Sequence, residues 1–248
     1  MSFFKYKNKN IYYKVIGEGK PVIFLHGNTA SSKMFEYILP FYQDDFKVIL
    51  MDFLGCGKSE RVEKFKDNLW LYQSEQLIAL IDYLNTRKVS LVGTSGGAYA
   101  ALNCAMQAPF KIDKIVCDSF DGLKLRSSFS KDLLEERNFA KQDEMARGFY
   151  QWCNGDDWEK VVDLDTQCLL KMADENIDLF CKPISEIENP LLLIGSKEDS
   201  MIGSNFIDEY KFIKSQVRDC KVVIVSEGEH PSICTNAKEV SRVIKEFL

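Results

Sequence analysis

Histidine is almost absent from this chain: the 248 residues contain two, His26 and His230. Any chemistry that needs an imidazole therefore has two possible owners. Long apolar runs are missing as well. The longest, such as 22–25 and 191–194, are strand-sized, far short of the ~20 apolar residues a membrane span requires. The first residues, MSFFKYKNKNIYYK, contain no apolar stretch followed by small residues, so no signal peptide and a cytoplasmic location are expected. No low-complexity tract or short-period repeat is visible, which excludes repeat architectures. Basic residues are not in excess: the net charge is −5, which leaves no electrostatic footprint for nucleic acid. C-x-x-C pairs and zinc-like Cys/His spacings are also lacking. The eight cysteines, at 56, 104, 117, 153, 168, 181, 220 and 234, are accordingly expected as free, mostly buried thiols in a reducing environment.

What is present is an ordinary globular composition, 46% hydrophobic and 28% charged, with length for one α/β domain carrying an insertion. Residues 5–16 read as two short strands joined around Asn8. Then follow continuous apolar runs of the kind buried on both faces of a parallel sheet: PVIFL, FKVILMD, KVSLV, KIVC, PLLLI and KVVIVS. Between them lie helical patterns. Leu77, Leu80, Ile81 and Leu84 recur at helical spacing, predicting an amphipathic helix over about 69–85. Further helices are expected at 98–106, stopped near Pro109, at 204–215 and at 236–247. Strands alternating with helices imply a mainly parallel sheet covered on both sides.

Residues 122–188 break the alternation. They contain helical patterns and no strand-like run, so they predict a helical insertion, a lid, between core segments 1–121 and 189–248. Residues 131–178 carry 13 acidic and 6 basic side chains, net −7, leaving +2 for the rest of the chain.

The strongest local signal is KVSLVGTSGGAYAALNCAM, in which Gly93-Thr94-Ser95-Gly96-Gly97 matches G-x-S-x-G between an apolar strand and an Ala-rich helix. A sharp strand-to-helix turn strains the central residue and tolerates only small neighbours at Gly93 and Gly97. It projects Ser95 Oγ above the strand ends as a candidate nucleophile. The helix beginning at Gly96 offers free N–H groups to an oxyanion. A second donor is expected from the loop after PVIFL, where Phe24-Leu25-His26-Gly27-Asn28 lets the chain turn at Gly27 and places the Asn28 N–H as candidate. A serine nucleophile needs a base near neutral pH. His26 is tied to the loop after its strand, where a structural role is expected. That leaves His230, in Glu229-His230-Pro231 after the last strand. The loop after PLLLIG holds Ser196-Lys197-Glu198-Asp199, and Asp199 is the candidate to orient His230, in the chain order Ser, acid, His.

Taken together these segments resemble the α/β-hydrolase superfamily, in the branch with a helical cap, over nearly the whole chain. Asp52-Phe53-Leu54-Gly55-Cys56-Gly57-Lys58-Ser59 is similar to the D-x-x-G-x-G-x-S loop common in that family, where it is structural. The overlapping G-C-G-K-S is not a phosphate-binding loop, because the required first glycine falls on Asp52. The resemblance leaves the acid open. Family spacing counted from Gly195 gives Glu198; counted back from Met201 and Ile202 it gives Asp199. Some relatives place the acid after the sixth strand, which here would be Asp118 or Asp121.

The resemblance implies an eight-stranded α/β-hydrolase fold and a serine hydrolase, carboxylesterase-like, acting on a small acyl substrate without metal or organic cofactor. The same scaffold also supports C–C bond hydrolysis, perhydrolysis and acyl transfer, and it occurs in non-catalytic ligand-binding proteins. An aspartate-dependent dehalogenase is not expected, because the nucleophile position holds Ser95. Neither nucleic acid nor membrane is an expected partner. The aromatics Phe129, Phe139, Phe149, Tyr150, Trp152, Trp158 and Phe180 of the insertion are candidates to line the pocket or to pack it.

Overall fold

The structure, a computed structural model, describes residues 2–248. The chain opens with a hairpin, β1 (Ser2–Tyr6) and β2 (Lys9–Ile16), paired antiparallel. Its two-residue turn places Lys7 and Asn8 at φ 46° and 66°, the left-handed pair that matches the twist of a tight hairpin. Then follow β3 (Lys20–Leu25), β4 (Phe46–Met51), α1 (Leu69–Tyr83), β5 (Val89–Thr94), α2 (Gly96–Gln107) and β6 (Ile112–Asp118). Three helices come next: α3 (Phe129–Ala140), α4 (Glu144–Asn154) and α5 (Trp158–Asp174). The chain returns to the sheet with β7 (Leu191–Ser196), α6 (Phe206–Gln216), β8 (Cys220–Val225), the single turn α7 (Ser232–Thr235) and α8 (Ala237–Phe247).

Among the described residues, eight strands form one sheet in the order β1-β2-β4-β3-β5-β6-β7-β8, parallel from β4 through β8. The apolar runs behave as their composition demands. Alternate residues face opposite sides, and both sides are buried. Ile23, Leu25, Ile49, Met51, Leu91, Ile115 and Leu193 pack into one core with Leu77 and Leu80 of α1, Ala98 and Leu102 of α2 and Tyr210 of α6. Val22, Phe24, Val48, Leu50, Val92, Val116 and Ile194 pack into the other with Phe35, Tyr42 and Val240 and Ile244 of α8. Each Val, Leu, Ile, Phe or Met among them contributes about 1.5–3 kcal/mol through burial.

From β3 the chain passes to β4 on one side, then returns to β5 on the other. Such a reversal opens a crevice at the carboxyl ends of the strands, and the loops after β3 and β5 lie there side by side. Helices α3, α4 and α5 stand between β6 and β7 in the chain. Residues 158–174 of the insertion form one continuous helix, α5. Val161, Leu169 and Met172 on it pack into the core shared with α1 and α2. All eight cysteines are free. Among the described residues no helix is long and apolar enough to cross a membrane.

Candidate active site

Ser95 sits between β5 and α2 with φ 52° and ψ −125°, a strained conformation for a residue with a side chain. The turn is held from below: the Ser95 N–H donates to Asp118 O of β6 at 2.9 Å. The flanking glycines are required by close approach. A Cβ on Gly93 would lie 2.3 Å from Gly97 O, and one on Gly97 would lie 2.3 Å from Leu25 O. The first turn of α2 therefore rests directly on the end of β3. Gly27 in turn brings its loop against Ser95; a Cβ there would be 3.0 Å from Ser95 Cβ.

His26 has both ring nitrogens engaged. Nδ1 donates to Gly27 O at 2.8 Å, and Nε2 accepts from the Phe53 N–H at 3.1 Å. Complete burial pushes its pKa down, against the pull of Asp52, so the ring is a neutral bracket between the loops after β3 and β4. Asp52 accepts from the Ser32 and Lys58 N–H groups at 2.8 and 2.7 Å, and Ser59 Oγ accepts from Tyr12 N–H at 2.9 Å. The D-x-x-G-x-G-x-S segment thus ties loops together.

His230 lies on the loop between β8 and α7. Its Nδ1 is 2.9 and 3.1 Å from the two carboxylate oxygens of Asp199, on the loop after β7. Burial raises the Asp199 pKa, but the bond and charge of His230 outweigh it, so the carboxyl sits below its ordinary value. The Ser119 hydroxyl and the Met201 N–H, 3.1 Å away, also favour the carboxylate. The other acids do different work. Glu198 accepts from the Gly228 N–H at 3.0 Å. Asp121 pairs with Arg126 at 2.7 Å and accepts from Gly203 N–H. Asp118 is fully buried, accepting from Thr94 Oγ1 at 2.8 Å, from Ser232 Oγ and from Ile233 N–H. It anchors the segment just after His230.

Ser95, His230, Asn28 and Gly96 all line one cavity of about 310 Å³, together with Trp70, Tyr99 and Phe129. Among the described residues Ser95 Oγ and His230 do not hydrogen-bond to each other; such bonds commonly tighten only when substrate binds. Gly96 is the first residue of α2, so its N–H has no helical acceptor. Among the described residues neither it nor the Asn28 N–H is taken up by a loop or turn hydrogen bond. Among the described residues no group of three or more His, Cys, Asp or Glu side chains is arranged to hold a metal ion.

Several cavity residues carry no signal in the sequence. Arg126 bridges Asp121 and Asp132, both at 2.7 Å. Buried Arg137 of α3 pairs with Asp165 of α5 at 3.3 Å and with Glu136. Burial raises the Asp165 pKa while Arg137 and Asn28 oppose the rise. Apart from Asn28 and Asp121, none of these residues stands in a motif; folding of the insertion brings the others together. Of the seven aromatics proposed for the pocket, Phe129 alone lines this cavity. Tyr150 and Trp158 stack on each other inside the insertion, and Phe139 is exposed.

Known proteins share part of this sequence and its fold. Over 117 residues the chain is 33% identical to a 2-hydroxy-6-oxo-6-phenylhexa-2,4-dienoate hydrolase of Comamonas testosteroni, covering 46% of this chain and 41% of that protein. The matches to this and three other curated relatives each span less than half of the relative's length. The fold superimposes on a meta-cleavage product hydrolase from Pseudomonas fluorescens IP01 with a TM-score of 0.78 at 19% identity, covering 97% and 94% of the two chains. On an esterase from Exiguobacterium antarcticum the TM-score is 0.79 at 18% identity, covering 99% and 98%. Residues 20–157, more than half of the chain, match the family defined by the alpha/beta hydrolase fold. With its eight-stranded sheet, its strained Ser95 turn and this match, the chain belongs to the α/β hydrolase family.

Proposed function

We propose that this chain is a serine hydrolase that cleaves a small ester or related acyl substrate, with Ser95 as nucleophile, His230 as base and Asp199 as the acid that orients it. One observation carries the reading: a strained serine, a carboxylate-paired histidine and two uncommitted backbone N–H groups converge on a single cavity. Asp199 holds Nδ1–H, leaving Nε2 to take the Ser95 proton as Oγ attacks the acyl carbon. The N–H groups of Gly96 and Asn28 receive the oxyanion, each worth roughly 2.7–4 kcal/mol in such sites. The protonated His230 then gives its proton to the departing alcohol. Water, losing a proton to His230, attacks the acyl-enzyme, and the acid product leaves as Ser95 recovers its proton.

The cavity is at the small end of the ~300–1,000 Å³ typical of ligand sites, which supports a small substrate. Both arginines on its wall are matched by carboxylates, which favours a neutral ester over a polyanion. Helices α3–α5 act as the cap over this site. Eight free thiols support a reducing, cytoplasmic setting. A second reading, C–C bond hydrolysis by the same residues, is favoured by the sequence similarity to a dienoate hydrolase.

The test is hydrolysis of p-nitrophenyl esters of graded acyl length together with labelling by a fluorophosphonate. Ser95→Ala should abolish both and leave the fold intact. Undiminished turnover in that variant refutes the assignment. Labelling with a single slow turnover would identify a ligand-binding protein, and cleavage of a vinylogous diketone in preference to every ester would favour the second reading.

A further inference from the structure

The side chain of Asn28 is held from two directions. Trp70 Nε1, on α1 of the core, donates to Asn28 Oδ1 at 3.1 Å. Asn28 Nδ2 donates to Asp165 Oδ2, on α5 of the helical insertion, at 2.6 Å. The remaining oxygen, Asp165 Oδ1, accepts from Arg137 of α3 at 3.3 Å. Asp165 and Arg137 are both buried, and so is Trp70, so the chain of bonds runs through a water-poor environment where each is electrostatically strong.

The position of this side chain matters because of what lies beneath it. A Cβ on Gly96 would be 1.9 Å from Asn28 Oδ1 and 2.9 Å from Trp70 Nε1. The Asn28 amide therefore lies directly on Gly96. The two residues whose N–H groups are assigned to the oxyanion are in contact, and the side chain of one sets its distance from the backbone of the other.

The insertion grips the same loop elsewhere. Asn154, the last residue of α4, donates to Thr29 O at 2.7 Å. Ser31 Oγ donates to Cys153 O at 2.9 Å, and Lys33 Nζ to Trp152 O at 3.0 Å. Thr29 itself is held at φ 59°, a conformation that a threonine keeps only when its surroundings fix it. Along residues 28–33 the helical insertion is therefore the mould in which the loop is set.

We propose that Asp165 is a positioning residue for the oxyanion site: through Asn28 it fixes the spacing of the Asn28 and Gly96 N–H groups, so that the helical insertion builds part of the transition-state pocket as well as covering it. This rests on the serine-hydrolase reading above. Asp165 touches no reacting atom. Its effect is exerted on the oxyanion, which exists only after attack, so its loss lowers kcat and leaves KM nearly unchanged. A residue that merely shaped the substrate pocket would move KM.

The test is a double-mutant cycle between Asn28→Ala and Asp165→Ala, read in kcat, KM and the Ki of phenylboronic acid, which forms a tetrahedral adduct on a nucleophilic serine. Each single variant should lose roughly 10- to 30-fold in kcat, less than the ~10²–10³-fold of deleting a donor outright, with KM within about twofold and the boronate weakened in proportion to kcat. The double variant should be no slower than the slower single, because the Asn28–Asp165 bond is lost in both. Asp165→Ala removes one of the two carboxylate partners of buried Arg137, which is destabilising in itself. The variant D165A/R137L removes both charges and should show the same kcat loss with a native unfolding transition. Additive losses, a loss confined to KM, or wild-type kcat in folded D165A/R137L would overturn the proposal. If the wild-type chain neither turns over an ester nor reacts with a fluorophosphonate, the serine-hydrolase reading falls and this inference falls with it; active wild type with unaffected variants removes the inference alone.

Discussion

Gly97→Ala isolates how the core holds the site together. The added Cβ would stand 2.3 Å from Leu25 O and 2.7 Å from His26 O. An ordinary carbon–oxygen contact is about 3.3–3.6 Å, so a gap of roughly 1 Å must open. Both opposing atoms are backbone, at the end of a central strand paired on either side with β4 and β5, so no side chain can swing away. The first turn of α2 must lift from β3. That carries Gly96 and Ser95 away from the Asn28 loop, the one displacement the site tolerates least. A misplacement of about 1 Å costs on the order of 10²-fold in rate, and overpacking costs about 1–3 kcal/mol of stability. The assay is kcat/KM on p-nitrophenyl acetate beside urea unfolding. Gly148→Ala serves as the control, since nothing lies within 4 Å of a Cβ there. In the interior of α4 it should stabilise by about 0.8–1.0 kcal/mol and leave activity unchanged. A Gly97→Ala enzyme within threefold of wild type and equally stable would refute the claim that β3 and α2 are in obligatory backbone contact.

Three further outcomes follow from the charges. Asp199→Asn should lower kcat by about 10³–10⁴-fold, as loss of the orienting acid does in triad enzymes, while Glu198→Gln stays near wild type in the same ester assay. Because Asp199 is held below its ordinary value, its stabilisation is fully present above about pH 4 and is lost as pH falls through the depressed folded value; the stability gap between wild type and Asp199→Asn should therefore shrink as pH falls below about 4. His26 behaves in the opposite sense. Its folded pKa is lowered by burial, so below about pH 6.5 the unfolded chain binds a proton that the folded chain refuses, and stability should fall by up to ~1.4 kcal/mol per pH unit. Urea unfolding between pH 7.5 and 5.5 should show that slope in wild type and its absence in His26→Gln.

The sheet was legible because its signal is local. Runs such as PVIFL and PLLLI are apolar at every position, which only a strand buried on both faces requires, and their two halves do divide between two cores. The helix at 69–85 was legible for a similar reason, and α1 ends within two residues of it. Along α5, Asp165 and Thr166 interrupt the apolar pattern between Val161, Val162 and Cys168, Leu169. In the folded chain that interruption is where α5 presents Asp165, buried against Arg137 and Asn28. A polar residue on a buried helical face looks, in one dimension, like the end of a helix.

The same reason explains which parts of the site could be read. Ser95, Gly93, Gly97 and Gly27 answer to steric demands made by neighbours within a few residues or by one adjacent strand, so their spacing is itself the signal. The proposed base, His230, is reached by elimination, because His26 is the only other histidine. The acid could not be fixed by counting, since Glu198 and Asp199 are adjacent; what separates them is direction, one side chain reaching Gly228 and the other His230. Beyond that point the sequence is silent for a physical reason. Asp165 lies 137 positions from the asparagine it holds, and a hydrogen bond at that separation imposes no periodicity and no spacing. It does impose a cost, because a buried carboxylate must be paired. An acid on the apolar side of an amphipathic helix is thus the one trace such a contact leaves, and in this chain it marks the place where the insertion meets the loop that faces Ser95.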